Sequence, residues 1–130
     1  METKIISYVD SEHVLRTEIK TAIEDQLFHE WKKRLGLQDW SICFQKNCKP
    51  EEMRMEGVAG CADWTEANKT AVIQILDPEY YGDRIVPFDY EKTLVHELLH
   101  LKLCLVSDCV PDIQARYMHQ IIDDLARALV

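Results

Sequence analysis

The sequence predicts an α+β fold: an N-terminal helix, a small, mostly antiparallel sheet of three to four strands, a buried helix and a C-terminal helix. Three observations carry this expectation. Residues 11–35 repeat apolar side chains every three or four positions, the period of an amphipathic helix. The run from Thr70 to Leu76 is rich in β-branched residues and stops at Asp77-Pro78, as a strand does. Residues 93–103 are apolar on almost every side yet hold two histidines four positions apart, which marks a buried helix with a polar task. A chain of 130 residues can bury a real core, so residues 1–130 are expected to form one domain.

Ser11 is the expected N-cap of the first helix, with Glu12 in its first turn. Leu15, Ile19, Ala22, Ile23, Leu27 and Trp31 form its apolar stripe, and Gly36 follows as the C-cap. Lys32-Lys33-Arg34 suits the basic last turn that a helix dipole favours. His13 and His29 are expected at the surface. The segment 40–45 alternates large apolar with smaller residues and reads as a half-buried strand; 46–56, with Pro50 and several charges, reads as a loop. Residues 57–64 are the second strand, Asn68-Lys69 a turn, and Thr70–Leu76 the third strand. An irregular connection over 78–88 leads to Asp89, which can cap the next helix, with Glu91 in its first turn. That helix should fade near Ser107-Asp108. Pro111 suits the first turn of a closing helix whose apolar stripe is Met118, Ile121, Ile122, Leu125 and Leu129. Trp31, Trp40 and Trp64 are expected in the core.

The chemistry concentrates in His96-Glu97-Leu98-Leu99-His100. On a helix, positions four apart share a face, so both imidazoles project to one side a turn apart and can bind one Zn²⁺. Glu97 is one step round, off that line, where it can take a proton from a water beside the ion.

These residues resemble the signature of the zincin clan of zinc peptidases, which surrounds the motif with uncharged residues and a Val or Thr three positions upstream. Thr93, Leu94, Leu98, Leu99 and Leu101 agree with that pattern. Lys102 departs from it and should lie on the outer edge of the helix. With its element order, the chain resembles a minimal, gluzincin-like metallopeptidase of the kind common in bacterial and phage genomes. The resemblance implies a zinc ion between the motif helix and a later ligand, with a peptide laid along an edge strand, here Ala71–Leu76. A metzincin would continue with Gly and His where this chain has Leu103 and Val106, so that branch is excluded. A gluzincin takes a downstream glutamate, and no glutamate follows Glu97. The remaining downstream candidates are Asp108, Asp112, His119, Asp123 and Asp124. His119 is the expected third ligand. Eighteen residues separate it from His100, enough for a turn and a returning helix, and Ala115 and Ala126 leave space beside it. Asp123, one turn on, can fix its tautomer. Asp112 and Asp108, near the turn between helices, are the alternatives. Tyr80, Tyr81, Tyr117 and Arg116 are candidates for stabilising an oxyanion, although packing for the tyrosines and solvent for the arginine is the favoured account.

A net charge of −8 argues against a nucleic-acid partner, which needs clustered Lys and Arg. No apolar run reaches the roughly 20 residues of a membrane span. The first residues carry no signal-peptide pattern, so a cytoplasmic protein is expected, and its five cysteines, Cys43, Cys48, Cys61, Cys104 and Cys109, are expected as free thiols. The function expected is hydrolysis of peptide bonds in a peptide or protein substrate. Zinc on His96, His100 and His119 would activate the water and Glu97 would act as general base. The alternative is a zinc-binding regulatory or interaction module of the same fold without turnover.

Overall fold

The computed structural model describes the backbone of residues 2–104 and 115–130 and, within them, the side chains of residues 12, 14–104 and 117–130. The element order is α1 (Glu2–Arg34), β1 (Ser41–Cys48), β2 (Gly60–Thr65), β3 (Thr70–Leu76), α2 (Tyr90–Lys102) and α3 (Ala115–Leu129), so the chain is α+β. The described residues divide into two compact units, residues 1–30 and 31–130.

The first unit is helical. It extends nine residues upstream of Ser11, back to Glu2, so Ser11 is not an N-cap. Nothing between them breaks a helix: there is no Gly or Pro in that stretch. Arg16 pairs with Glu12 at one-turn spacing, 2.8 Å apart. Leu15, Ile19 and Ile23, expected to be buried, are exposed, as is His29. The side chain of His13 lies outside those described.

The second unit begins with the last turn of α1, where Trp31 is buried and donates its indole N–H to Glu91 Oε1 at 2.8 Å. The helix ends as its sequence suggested. Gly36 takes φ 68° and donates to the Lys33 carbonyl at 3.0 Å, and Leu37 donates to the Lys32 carbonyl at 2.9 Å. These are the two bonds of a Schellman termination, and glycine supplies its left-handed residue without a Cβ clash.

The sheet differs from the mostly antiparallel expectation. It has three strands in the order β1-β3-β2, with β3 antiparallel to β2 and parallel to β1. The cause is the length of the two connections. Residues 49–59 are long enough to cross about two strand spacings, roughly 10 Å, leaving a slot beside β1. The four residues between Thr65 and Thr70 then return the chain into that slot, helped by Lys69 in the left-handed region at φ 52°. β3 is therefore the central strand, paired on both sides. It cannot be the edge along which a peptide lies; β1 and β2 are the edges.

Gln74 of β3 is buried yet fully engaged. Its amide oxygen accepts from the Arg54 backbone N–H at 2.8 Å and lies 3.0 Å from the Cys61 thiol. Its amide nitrogen donates to Gln45 Oε1 at 2.8 Å and to the Glu52 carbonyl at 2.9 Å. One side chain thus ties the 49–59 connection to all three strands, since a buried amide must find such partners.

α2 packs on β2 and β3 and against α3. Asp89 caps it, accepting from the Lys92 N–H at 3.0 Å, and Thr93 donates its hydroxyl to the Asp89 carbonyl at 2.7 Å. Leu94, Val95, Leu98, Leu99 and Leu101 are buried with Ile73 and Ile75, and Lys102 is exposed as expected. On α3 the buried line is Met118, Ile122 and Ala126; Ile121, Leu125 and Leu129 are exposed. The helix buries only part of its apolar stripe, and its rotation brings His119 and Asp123 to the α2 side. The expected helix end near Ser107-Asp108 and helix start at Pro111 lie outside the described residues.

Candidate metal centre

Two helices build the centre. α2 offers His96 and His100 from one face, as their spacing requires, with ring centroids 5.2 Å apart. α3 brings His119 across to them: its ring stacks on His96 at 5.8 Å and meets His100 edge-on at 4.7 Å. One ligand nitrogen from each of the three histidines lies within 4.8 Å of the others. A tetrahedral zinc with bonds of about 2.0–2.1 Å needs nitrogens about 3.4 Å apart, a difference that small side-chain rotations close. His96 and His100 are half-buried and His119 is exposed, so the three nitrogens converge at the edge of the core with one side toward solvent. Asp108 and Asp112, the alternative third ligands, lie outside the described residues.

Burial and mutual repulsion set the protonation of the centre. Burial, together with the neighbouring His96 and His119, pushes His100 down to about 4. Burial also lowers His96, against the pull of the Asp123 carboxylate. Both imidazoles are therefore neutral at pH 7, the form that binds metal. Glu97 is 6% exposed, and burial alone pushes its carboxyl up to about 8. A cation on the three histidines would favour the ionised carboxylate and bring that value back down.

β2 sets the position of Glu97. A Cβ on Gly60 would lie 2.9 Å from Thr93 Cγ2, too close without a shift, and a tight 3.1 Å from Glu97 Cγ. Glycine lets the strand approach the helix at the residue after the first histidine. Two positions further on, Ala62 faces the same way, and then Trp64, whose indole stacks on the His100 ring at 5.9 Å and 25°. Small, small and large residues thus open the strand from the helix until an indole fits over a ligand. Trp64 is half-buried, a wall of the centre and not the core residue expected. Trp31 and Trp40 are buried as expected. A glycine inside a strand pattern, as in Gly57-Val58-Ala59-Gly60, is the signal that marks such a close approach.

Asp123 is at the centre but not where it was expected. Its Oδ1 lies 3.6 Å from His96 Nδ1, so it faces a ligand on the other helix and not His119. Of the oxyanion candidates, Tyr81 is engaged by its own connection. Tyr81 donates its hydroxyl to the Val86 carbonyl at 2.6 Å, packs edge-on against Phe88 and carries the Arg84 guanidinium over its ring. Tyr117, half-exposed, is two residues from His119 and so about 200° round the helix from it. Tyr80 is exposed, and the Arg116 side chain lies outside those described. Cys43, Cys48, Cys61 and Cys104 are free thiols, all but Cys43 buried; Cys109 lies outside the described residues. Burial raises Cys48 and Cys61, which keeps them inert as thiols. Among the described residues no helix is long and apolar enough to cross a membrane.

Set against known families, curated proteins and solved structures, the chain has no match.

Proposed function

We propose that this chain is a zinc-dependent peptidase of the minimal zincin type, with His96, His100 and His119 as ligands and Glu97 as general base. The observation that carries the reading is the convergence of three imidazoles from two helices next to one buried carboxylate. The donor set fits the metal. Three imidazole nitrogens suit a borderline ion such as Zn²⁺ and leave its fourth position open, whereas Mg²⁺ and Ca²⁺ ask for oxygen donors. Zinc held there supplies a lowered pKa to a water and polarises a carbonyl.

The remaining steps belong to the chain. Glu97, within a turn of both α2 histidines, accepts the proton of the attacking water and returns it to the leaving amine. A purely structural site has no use for such a base.

The substrate strand belongs on β2. Ala59 accepts from the Leu76 N–H at 2.8 Å, and the alternation of an antiparallel ladder then directs Cys61 and Asp63 toward β3. The backbone groups of Gly60, Ala62 and Trp64 turn to the other edge, which is unpaired among the described residues. An extended peptide adding to that edge runs past Trp64 and the three histidines, and main-chain hydrogen bonds hold it without regard to sequence.

Incubating the zinc-loaded protein with a peptide library tests the reading. Wild type should cleave, and Glu97→Gln should keep its zinc and lose cleavage. A zinc-loaded wild type that cleaves nothing would make the chain a binding module; undiminished cleavage by Glu97→Gln would remove Glu97 as the base.

A further inference from the structure

The carboxylate of Asp123 stands at the meeting of α2 and α3. Its Oδ1 lies 3.6 Å from His96 Nδ1 and 3.4 Å from Lys92 Nζ, both on α2. Its Oδ2 accepts from Arg127 of its own helix at 2.7 Å, and Arg127 also reaches Asp124 at 3.0 Å. Asp123 sits one turn after His119, so α3 presents a ligand and a carboxylate from one face.

We propose that Asp123 is the positioning residue of the metal centre: it takes the Nδ1–H of His96 and so leaves Nε2 of that ring for the metal. The proposal rests on the metal-binding part of the reading above and not on peptidase activity. A free imidazole carries its proton on either nitrogen and turns about its side chain. A carboxylate facing Nδ1 selects one tautomer, holds the ring plane and strengthens Nε2 as a donor. Asp123 suits the task because it is itself held. Arg127 fixes one oxygen and Lys92 approaches the other. The gap of 3.6 Å exceeds a hydrogen bond, and a small turn of the His96 ring would close it.

The arrangement also accords with α3 burying Met118, Ile122 and Ala126 and leaving Ile121, Leu125 and Leu129 exposed. That rotation puts His119 and Asp123 on the α2 side at once. The two helices thus share the centre: each gives ligands, and α3 orients a ligand of α2.

Zinc affinity measured by chelator competition tests this, on Asp123→Ala, Asp123→Asn and Lys92→Met. Asp123→Ala should weaken zinc binding by about 10–100-fold, the usual loss when an orienting partner is removed. Asp123→Asn should recover most of it, since the amide oxygen still accepts from Nδ1–H. Lys92→Met should stay within about fivefold, the size of a partly exposed ion pair. Long-range ¹H–¹⁵N spectra of the zinc-loaded protein should show His96 protonated at Nδ1 in wild type and in Asp123→Asn. Affinity unchanged in Asp123→Ala while His96→Ala loses zinc would overturn the proposal. Equal losses in all three variants would also overturn it, by reducing Asp123 to a link between helices. A wild type that takes up no zinc overturns the centre and this role together.

Discussion

Gly60 leaves little room for a side chain beside Glu97: a Cβ on Gly60 would sit 3.1 Å from Glu97 Cγ, with Thr93 Cγ2 closer still at 2.9 Å. The base of the proposed reaction is held against a backbone, and one methyl group is enough to move it. Gly60→Ala should therefore destabilise the fold by about 1–3 kcal/mol, the range for overpacking a tight contact. It should also lower any cleavage more than it lowers zinc binding, because the crowded side chains are Thr93 and Glu97 and not a histidine. Thermal unfolding and zinc titration of the variant measure both. A variant as stable as wild type would mean that the strand shifts freely.

Trp64 gives the centre an optical reporter. Its indole lies over His100, while Trp31 and Trp40 are buried in the core. A paramagnetic Co²⁺ ion in place of zinc should quench part of the tryptophan emission. Trp64→Phe should abolish that quenching and still bind the ion. Equal quenching in the variant would place the metal away from this ring.

The buried carboxyl of Glu97 ties stability to pH in the metal-free protein. Folded, it holds its proton to about pH 8; unfolded, it ionises near the ordinary 4.5. Through that window the unfolded chain binds fewer protons, so stability falls as pH rises. His100, held near 4 against an ordinary 6.5, acts in the opposite sense: its contribution is present above 6.5 and is lost as pH falls toward 4. Glu97→Gln removes the first dependence and leaves the second. Urea unfolding at about pH 5 and about pH 8 should therefore show the variant gaining stability relative to wild type as pH rises. Parallel pH profiles would contradict a buried, protonated Glu97.

Features encoded over a few residues were legible in the sequence. Asp89 caps α2, Gly36 terminates α1, and β3 spans Thr70–Leu76 as its β-branched run suggested. The spacing of His96 and His100 put both rings on one face because helix geometry leaves no alternative. His119 was reached by elimination and by its place beside the apolar stripe of α3, and its ring does approach the other two. What depends on long-range packing was not legible. Local alternation cannot tell an edge strand from a central one, so β3 was misplaced. Residue hydrophobicity favoured Leu125 and Leu129 for burial, but the histidine and aspartate facing α2 fix the rotation of α3 instead. Trp64 looked like core because indoles usually are; only the approach of β2 to α2 through Gly60 sets it beside a histidine.

That the three histidines act as one site is tested most directly by zinc stoichiometry with chelator competition. Wild type should bind about one zinc per chain, and His96→Ala, His100→Ala and His119→Ala should each weaken it by more than about tenfold, since a catalytic zinc needs three protein ligands. Asp112→Ala should change it little. Zinc affinity undisturbed in His119→Ala but lost in Asp112→Ala would contradict the assignment of the third ligand. A wild type that binds no zinc would contradict the centre itself.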